Sequence, residues 1–267
     1  MDLELQDRCA IVTGGSRGIG KAVARELARE GARVAIVARD EQVLEASAGE
    51  LAGETGGTIV PIACDTGSDD AVQAMVADVV RRLGGVDILV NCAAAPGGQA
   101  PPPKLAEIRD DVFWPDVNVK VMGYLRCIRE VVPHMAGRGG GRIVNISGLA
   151  TRNTGSTVGS MRNVAVAAMT KNLAEELGPQ GISVIVVHPA VTRTEKTPGV
   201  VRARAQAQGI SEEEVERRMA TGANVLRRLI DAREVAYVVA FLCSPRAIAV
   251  NGDAVVAGGG APGSIHY

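Results

Sequence analysis

Short apolar runs rich in β-branched residues alternate with longer amphipathic segments along almost all of the 267 residues. Residues 9–13 form the first run, and residues 18–30 follow as a helix with Val23 and Leu27 on one face. Further strands are predicted at 34–37, 58–62, 86–90, 142–146, 182–187 and 253–256. Strands that are apolar throughout and separated by helices indicate a parallel sheet covered by helices on both faces. The pattern therefore predicts an α/β fold with a doubly wound sheet in a three-layer α/β/α arrangement.

Nothing in the sequence divides the chain, because it contains no linker and no internal repeat. We therefore expect residues 1–267 to form one domain. Two segments interrupt the alternation. Residues 96–103 are rich in Pro and Gly and are expected to be loop. Residues 192–222 form a charged, helix-forming insertion, for which a substrate lid is one interpretation and a solvated surface hairpin is the other.

Charge and cysteine content limit the classes of partner. A net charge of -1 gives no electrostatic basis for binding nucleic acid or an anionic membrane. The five cysteines are scattered with no CxxC pair, which favours a reducing compartment and no metal site. There is no charged-then-apolar leader and no apolar run of membrane-spanning length, so we expect a cytoplasmic protein.

A glycine-rich turn, TGGSRGIG at residues 13–20, follows the first strand and opens the first helix. Glycines at this place permit a tight turn and bring the amides of the helix N-terminus close to a pyrophosphate. Because a glycine-rich turn alone is weak evidence, an unliganded strand-to-helix turn is the alternative interpretation.

The spacing Gly-x3-Gly-x-Gly of this turn resembles the fingerprint of the short-chain dehydrogenase/reductase (SDR) family, classical type. Three other features resemble that family in the same order along the chain: Asp65 after the third strand, NCAA at 91–94 and HPAVTRT at 188–194. Cys92, Ala94 and Ala190 are mild departures from the family pattern. The resemblance implies a Rossmann-type fold with a parallel sheet of about seven strands, and an oxidoreductase that uses a nicotinamide dinucleotide.

The resemblance also implies cofactor roles by position. The residues of the glycine-rich turn that would bind the cofactor are Gly14, Ser16, Arg17, Gly18, Ile19 and Gly20. Asp65 would accept a hydrogen bond from the adenine amino group, and Asn91 with Ala93 would border the adenosine ribose. Thr194, five residues after Pro189, would hold the nicotinamide carboxamide.

The choice between the two dinucleotides depends on the end of the second strand. An acidic residue there would bind a free ribose 2′-hydroxyl and repel a phosphate. This chain has Ala38 followed by Arg39, with Arg17 in the glycine-rich turn. Two guanidinium groups suit a 2′-phosphate, so we predict NADP(H) in preference to NAD(H). The alternative is that both are ordinary surface arginines.

The family's usual catalytic set is Asn, Ser, Tyr and Lys, and none of the four is at its expected position in the preferred register. AMTKNLAEEL at 168–177 resembles the second half of the active-site helix, which puts the Tyr position at Gly159 and the Lys position at Asn163. The chain's three tyrosines, at 124, 237 and 267, are all distant in sequence. The Ser position holds Gly148, one residue after Ser147.

The Asn position could be Asn118 or Lys120, and the spacing to the following helix favours Lys120. In the first of three hypotheses, the protein is a reductase or dehydrogenase for a small carbonyl or alcohol. A desolvated Lys120 would supply the proton, and Ser147, Ser160 or Thr157 would orient the carbonyl. The alternative is that Lys120 has no catalytic role and extends its charged end to solvent at the start of a helix.

The second hypothesis is a protein that binds NADP(H) without redox turnover, as a sensor or a supporting subunit. The third is an enzyme of the same fold with non-redox chemistry, such as elimination or cyclisation. Family members commonly assemble through two long helices and the last strand, so a homotetramer or homodimer is implied. Tyr267 could then enter a neighbour's site as a substitute phenol, unless the terminus is frayed.

Overall fold

The computed structural model describes residues 1–94 and 102–262. The strands are β1 (Cys9–Thr13), β2 (Arg33–Ala38), β3 (Ile59–Ala63), β4 (Ile88–Asn91), β5 (Gly141–Ile146), β6 (Ile182–Pro189), β7 (Thr192–Arg193), β8 (Ile230–Asp231) and β9 (Ala254–Ala257). Seven of them form one parallel sheet in the order β3-β2-β1-β4-β5-β6-β9, and β7 pairs with β8 separately. The predicted seven-stranded, doubly wound sheet is confirmed; the short β7–β8 pair was not predicted.

The helices are α1 (Gly18–Arg29), α2 (Glu41–Thr55), α3 (Asp69–Leu83), α4 (Asp110–Val117), α5 (Gly123–Gly137), α6 (Thr157–Leu177), α7 (Thr197–Gln208), α8 (Glu212–Ala223) and α9 (Ala232–Cys243). One face of the sheet packs on α1, α2 and α9 and the other on α3, α5 and α6. Alternate side chains of β1 serve the two faces, with Val12 in one core and Ile11 in the other. The strand order reverses between β1 and β4, where ligands bind in such sheets.

The helix predicted at 116–136 differs from the structure in two ways. It begins at Asp110, and a π-helical segment, Asn118–Met122, joins α4 to α5 without a break. The amide of Gly123 donates to the carbonyl of Asn118, five residues earlier. A 3.6-residue periodicity cannot reveal this extra residue, because the segments on both sides keep ordinary helical spacing.

The insertion at 192–222 folds as α7 and α8, two helices that pack on each other through Val201, Ala205 and Val215. The Ser211 hydroxyl caps α8 by accepting from the Glu214 amide at 3.1 Å. Function of this segment as a substrate lid stays a prediction. Within the described residues, no helix is both long and apolar enough to cross a membrane.

Candidate active site

The glycine-rich turn between β1 and α1 leaves no room for a side chain at Gly14 or Gly20. Gly14 and Gly18 have φ angles of 67° and 55°. A Cβ on Gly14 would lie 3.0 Å from the backbone of Ala93, and one on Gly20 would lie 2.3 Å from the carbonyl oxygen of Gly14. The turn is therefore folded against the end of β4, and the N-terminus of α1 reaches the sheet edge at which the strand order reverses.

Buried hydrogen bonds connect the strands beneath this turn. The Thr13 hydroxyl accepts from the amides of Cys92 and Ala93 at 3.1 and 3.2 Å. The side chain of Asn91 donates to that of Asn145 at 3.0 Å, and Asn145 donates to Thr170 of α6 at 3.0 Å. Asn91 thus links the neighbouring strands β4 and β5. Asn145 is a polar residue among the apolar residues of the predicted strand at 142–146, and this was the sign in the sequence that could have identified it.

A carboxylate occupies the N-terminus of α1. The amide of Gly18 donates to both carboxylate oxygens of Glu195, each at 3.1 Å. Thr194 lies beside the same glycine, since its Cγ2 is 3.6 Å from the Cβ position of Gly18. A cleft of about 580 Å³ opens here, lined by the turn and by the segment 193–196. This helix end thus holds an anion, which is the charge that its dipole favours. Glu195 was not foreseen from the sequence.

The two arginines predicted to bind the cofactor, Arg17 in the wall of this cleft and Arg39 after β2, lack partners within the described chain. Arg17 and Arg39 are exposed, and neither forms a side-chain hydrogen bond or ion pair in the described parts of the chain. Asp40 caps α2 by accepting from the Val43 amide at 3.1 Å. Asp65 is exposed and accepts from the Gly67 amide at 2.9 Å. The cationic groups at the end of β2 are therefore available to a phosphate.

The structure brings the expected Ser and Lys positions together. A Cβ on Gly148 would lie 3.2 Å from Nδ2 of Asn163. The Asn163 side chain is buried, and its Oδ1 has no hydrogen-bond partner among the described residues. Gly159 lies in the first turn of α6, where its amide donates to the Ser156 hydroxyl at 3.1 Å. Positions 148, 159 and 163 therefore supply one buried amide and no ionisable side chain.

Lys120 lies in the π-helical segment and reaches the end of β5. Its side chain is 4% exposed, and Nζ donates to the carbonyl oxygen of Ser147 at 3.0 Å. Burial, reinforced by the charge of Arg162, lowers its pKa from 10.5 to about 7. Asn118 instead donates to the carbonyl oxygen of Gly67 at 3.3 Å, so of these two residues it is Lys120 that meets β5.

The candidate hydroxyl groups are engaged with the main chain. The Ser147 hydroxyl donates to the carbonyl oxygen of Asn163 at 3.1 Å. The Ser160 hydroxyl donates to that of Asn153 at 3.4 Å, and Thr157 is exposed at the start of α6. These contacts stabilise the start of α6, which is a different use from the expected orientation of a substrate carbonyl.

Two charged groups and one neutral histidine lie near Lys120, and the sequence did not reveal that the two charged groups form a pair. Arg162 of α6 pairs with Asp116 of α4, and both side chains are largely buried. His188 is buried at the end of β6, and burial, Arg152 and Lys120 lower its pKa to about 4, so it is neutral at pH 7. Arg162 lies between the expected Tyr and Lys positions, so its place in the site was visible in the sequence. Its pairing with Asp116 was not, because the two residues are 46 positions apart.

Two other expectations concern metal and the C-terminus. In residues 1–94 and 102–262, no three His, Cys, Asp or Glu side chains are grouped to hold a metal ion. All five cysteines are free. Tyr267 lies outside the described residues, as does most of the predicted loop at 96–103.

Comparison with known proteins places the chain in a family. The family model described as enoyl-(acyl carrier protein) reductase matches residues 14–262. The chain is 34% identical over 262 residues to dehydrogenase/reductase SDR family member 4 of Oryctolagus cuniculus, covering 97% of this chain and 95% of that protein. It is 35% identical over 259 residues to the short-chain reductase protein NovJ of Streptomyces niveus, covering 96% and 95%.

A similar solved structure is L-sorbose reductase from Gluconobacter frateurii, complexed with NADPH and L-sorbose. The TM-score is 0.93 at 28% sequence identity, with 99% of this chain and 100% of that chain covered. Sequence and fold therefore agree over nearly the whole length of the chain. The glycine-rich turn, the parallel sheet and these similarities show that the chain belongs to the short-chain dehydrogenase/reductase family.

Proposed function

We propose that this protein is an NADP(H)-dependent oxidoreductase for a small carbonyl or alcohol substrate, with Lys120 as its acid–base group. The buried Lys120, which reaches the end of β5, is the observation that carries the proposal. Its mechanism differs from the family's usual one because Gly159 and Asn163 stand at the Tyr and Lys positions.

The residues fit a dinucleotide. The glycine-rich turn has no space for a Cβ at Gly14 or Gly20, and the Gly18 amide binds a carboxylate where a pyrophosphate would lie. Unpaired Arg17 and Arg39 favour NADP(H) over NAD(H), and the relative with bound NADPH supports the same choice. Ser16 and Ile19 would bind the cofactor as part of the glycine-rich turn. Asp65 would serve the adenine, Asn91 and Ala93 would border the ribose, and Thr194, five residues after Pro189, would hold the nicotinamide carboxamide. Bound NADPH would supply the hydride.

The chain itself must supply the proton. Lys120, with a pKa of about 7, is present in both protonation states near neutrality, as a general acid–base group requires. Its ammonium form would protonate the developing alkoxide during reduction, and its neutral form would accept that proton during oxidation. For Ser147 or Ser160 to orient the carbonyl, its hydroxyl would have to exchange its main-chain acceptor for substrate.

The test is NADPH oxidation by wild type and Lys120→Met across a panel of ketones, aldehydes and oxo acids. We expect Lys120→Met to lower kcat by about 10²–10⁴-fold, the usual contribution of general acid catalysis, with NADPH binding unchanged. Lys171→Met, at an exposed lysine of α6, is the matched control and should keep full activity. Wild-type kcat for reduction should be constant below pH 7 and should fall above it, because the ammonium form is then lost.

The absence of an ionisable group at 148, 159 and 163 favours a second candidate, a protein that binds NADP(H) without turnover. Tight NADPH binding with no oxidation of any substrate would exclude the oxidoreductase and leave this candidate or non-redox chemistry. Failure to bind NADPH would exclude all roles that depend on that cofactor.

Assembly and location belong to the same proposal. Apolar side chains are exposed on α6, at Met161 and Val164, and on α9, at Tyr237 and Phe241. Such stripes support a homotetramer or homodimer, and light scattering after size exclusion measures which forms. We also propose a cytoplasmic location, which cell fractionation tests.

A further inference from the structure

We propose that the substrate of this site is an oxo acid or hydroxy acid, and that Arg152 binds its carboxylate. The inference rests on the proposed function, because it names the substrate class for the same pocket. Arg152 is a cationic group to which the proposed reaction gives no role.

The main chain fixes Arg152 at the carboxyl end of the sheet. A single turn, Leu149–Thr151, follows β5, and the Arg152 amide donates to the carbonyl oxygen of Leu149 at 2.9 Å. The Thr151 hydroxyl and amide both contact the carbonyl oxygen of Gly148, at 3.1 and 3.2 Å. Arg152 is thus held four residues beyond the glycine that faces Asn163, at the edge where substrates of doubly wound sheets bind.

The guanidinium of Arg152 has no partner within residues 1–94 and 102–262. The residue is half-buried, and its side chain forms no hydrogen bond or ion pair there. An arginine remains charged at every physiological pH, and a partly desolvated charge without a partner costs free energy. An anion from outside the chain would remove that cost.

The charges around Arg152 do not neutralise it. Asp116, whose charge acts on Lys120, is already paired with Arg162. Lys120 adds a second positive charge when it is protonated, and His188, in the neighbouring strand, is neutral at pH 7. Arg152 and Lys120, whose charges both act on His188, therefore give this end of the sheet an excess of positive charge, which favours an anionic substrate over a neutral one.

A carboxylate fits this arrangement in charge and in shape. One guanidinium can donate two parallel hydrogen bonds to the two oxygens of a carboxylate, and one positive charge balances one negative charge. In the reduction, the carbonyl carbon would gain hydride from NADPH and its oxygen would gain the proton of Lys120. The carboxylate would be unchanged, so Arg152 orients the substrate and takes no part in proton transfer.

The experiment compares three oxo acids with their methyl esters: acetoacetate, levulinate and 5-oxohexanoate. We expect wild type to have at least a tenfold higher kcat/KM for one of the acids than for its ester. Arg152→Met should lower kcat/KM for that acid by about 10–100-fold and for the ester by less than threefold, the range for a charge-assisted hydrogen bond. Arg152→Lys should be intermediate, and Arg81→Met, at an exposed arginine of α3, should match wild type.

Equal rates for acids and esters, or an equal loss for both in Arg152→Met, would overturn the proposal and leave the oxidoreductase function intact. If no compound is turned over, calorimetry of levulinate binding to the protein with NADP⁺ decides the matter. If levulinate binds to wild type and Arg152→Met abolishes that binding, the carboxylate site is supported and only the redox function is refuted. No binding of levulinate or the other two acids to wild type would refute the carboxylate site.

Discussion

The carboxylate of Glu195 at the N-terminus of α1 makes a quantitative prediction about cofactor affinity. Its two oxygens accept from the Gly18 amide, at the place proposed for the cofactor pyrophosphate. Both anions cannot occupy one helix end, so Glu195 must withdraw when the cofactor binds. Glu195→Gln keeps the size of the side chain and removes its charge, which should tighten NADP⁺ binding.

The magnitude follows from Coulomb's law near the surface. A unit charge about 7 Å from each of two phosphate charges contributes about 1 kcal/mol in total at the dielectric constant of water. The expected change in Kd is therefore about fivefold. Calorimetry with NADP⁺ measures it, and the difference should shrink in high salt because the Debye length falls to about 3 Å at 1 M.

Glu213→Gln is the matched control, since it removes the same charge from α8. We expect its Kd for NADP⁺ to equal that of wild type. If Glu195→Gln binds NADP⁺ no more tightly than wild type, or if both variants tighten binding equally, the competition between Glu195 and the pyrophosphate is refuted.

Three further predictions concern specificity and stability. Arg17→Met and Arg39→Met should each raise the Kd for NADP⁺ about tenfold with little change for NAD⁺, and equal losses for both cofactors would contradict the 2′-phosphate role. Asn145→Leu should lower the free energy of unfolding by about 2–3 kcal/mol in urea titrations. The reason is that the buried side chains of Asn91 and Thr170 would lose their hydrogen bonds to Asn145. Burial tends to raise the pKa of Asp87, but hydrogen bonds from Arg138 and the Cys9 amide, with the charges of Arg138 and Arg8, together lower it below its usual value. Its stabilising contribution should therefore be present near pH 7 and lost as pH falls through that depressed value, and Asp87→Asn should lack this acid-dependent part.

Local patterns predicted the elements that depend on local chemistry. The period of the apolar residues predicted the seven strands of the sheet, and glycines at fixed spacing predicted the turn before α1. Spacing along the chain also favoured Lys120 over Asn118, and the structure places Lys120 at the end of β5. These features require only the residues of one or two neighbouring elements.

Contacts between distant parts of the chain were not predictable in the same way. Arg162 with Asp116, and Gly18 with Glu195, join residues 46 and 177 positions apart. Arg162, Asp116 and Glu195 each resemble an ordinary surface charge in the sequence, and only the folded arrangement shows what each of them contacts. The sequence thus predicted changes at the family's catalytic positions, but it did not identify Asp116 and Glu195 as the partners of Arg162 and Gly18.

The π-helical segment makes the pocket sensitive to chain length as well as to residue type. Asn118–Met122 contains one residue more than an α-helical path would need, as the bond from Gly123 to Asn118 shows. Deletion of Val119 would restore an α-helix and rotate α4 by about 100° relative to Lys120. Asp116 would then leave Arg162, although no charged side chain had been altered. In comparisons between relatives, a one-residue gap in this helix is therefore expected to mark the loss of the Arg162–Asp116 pair.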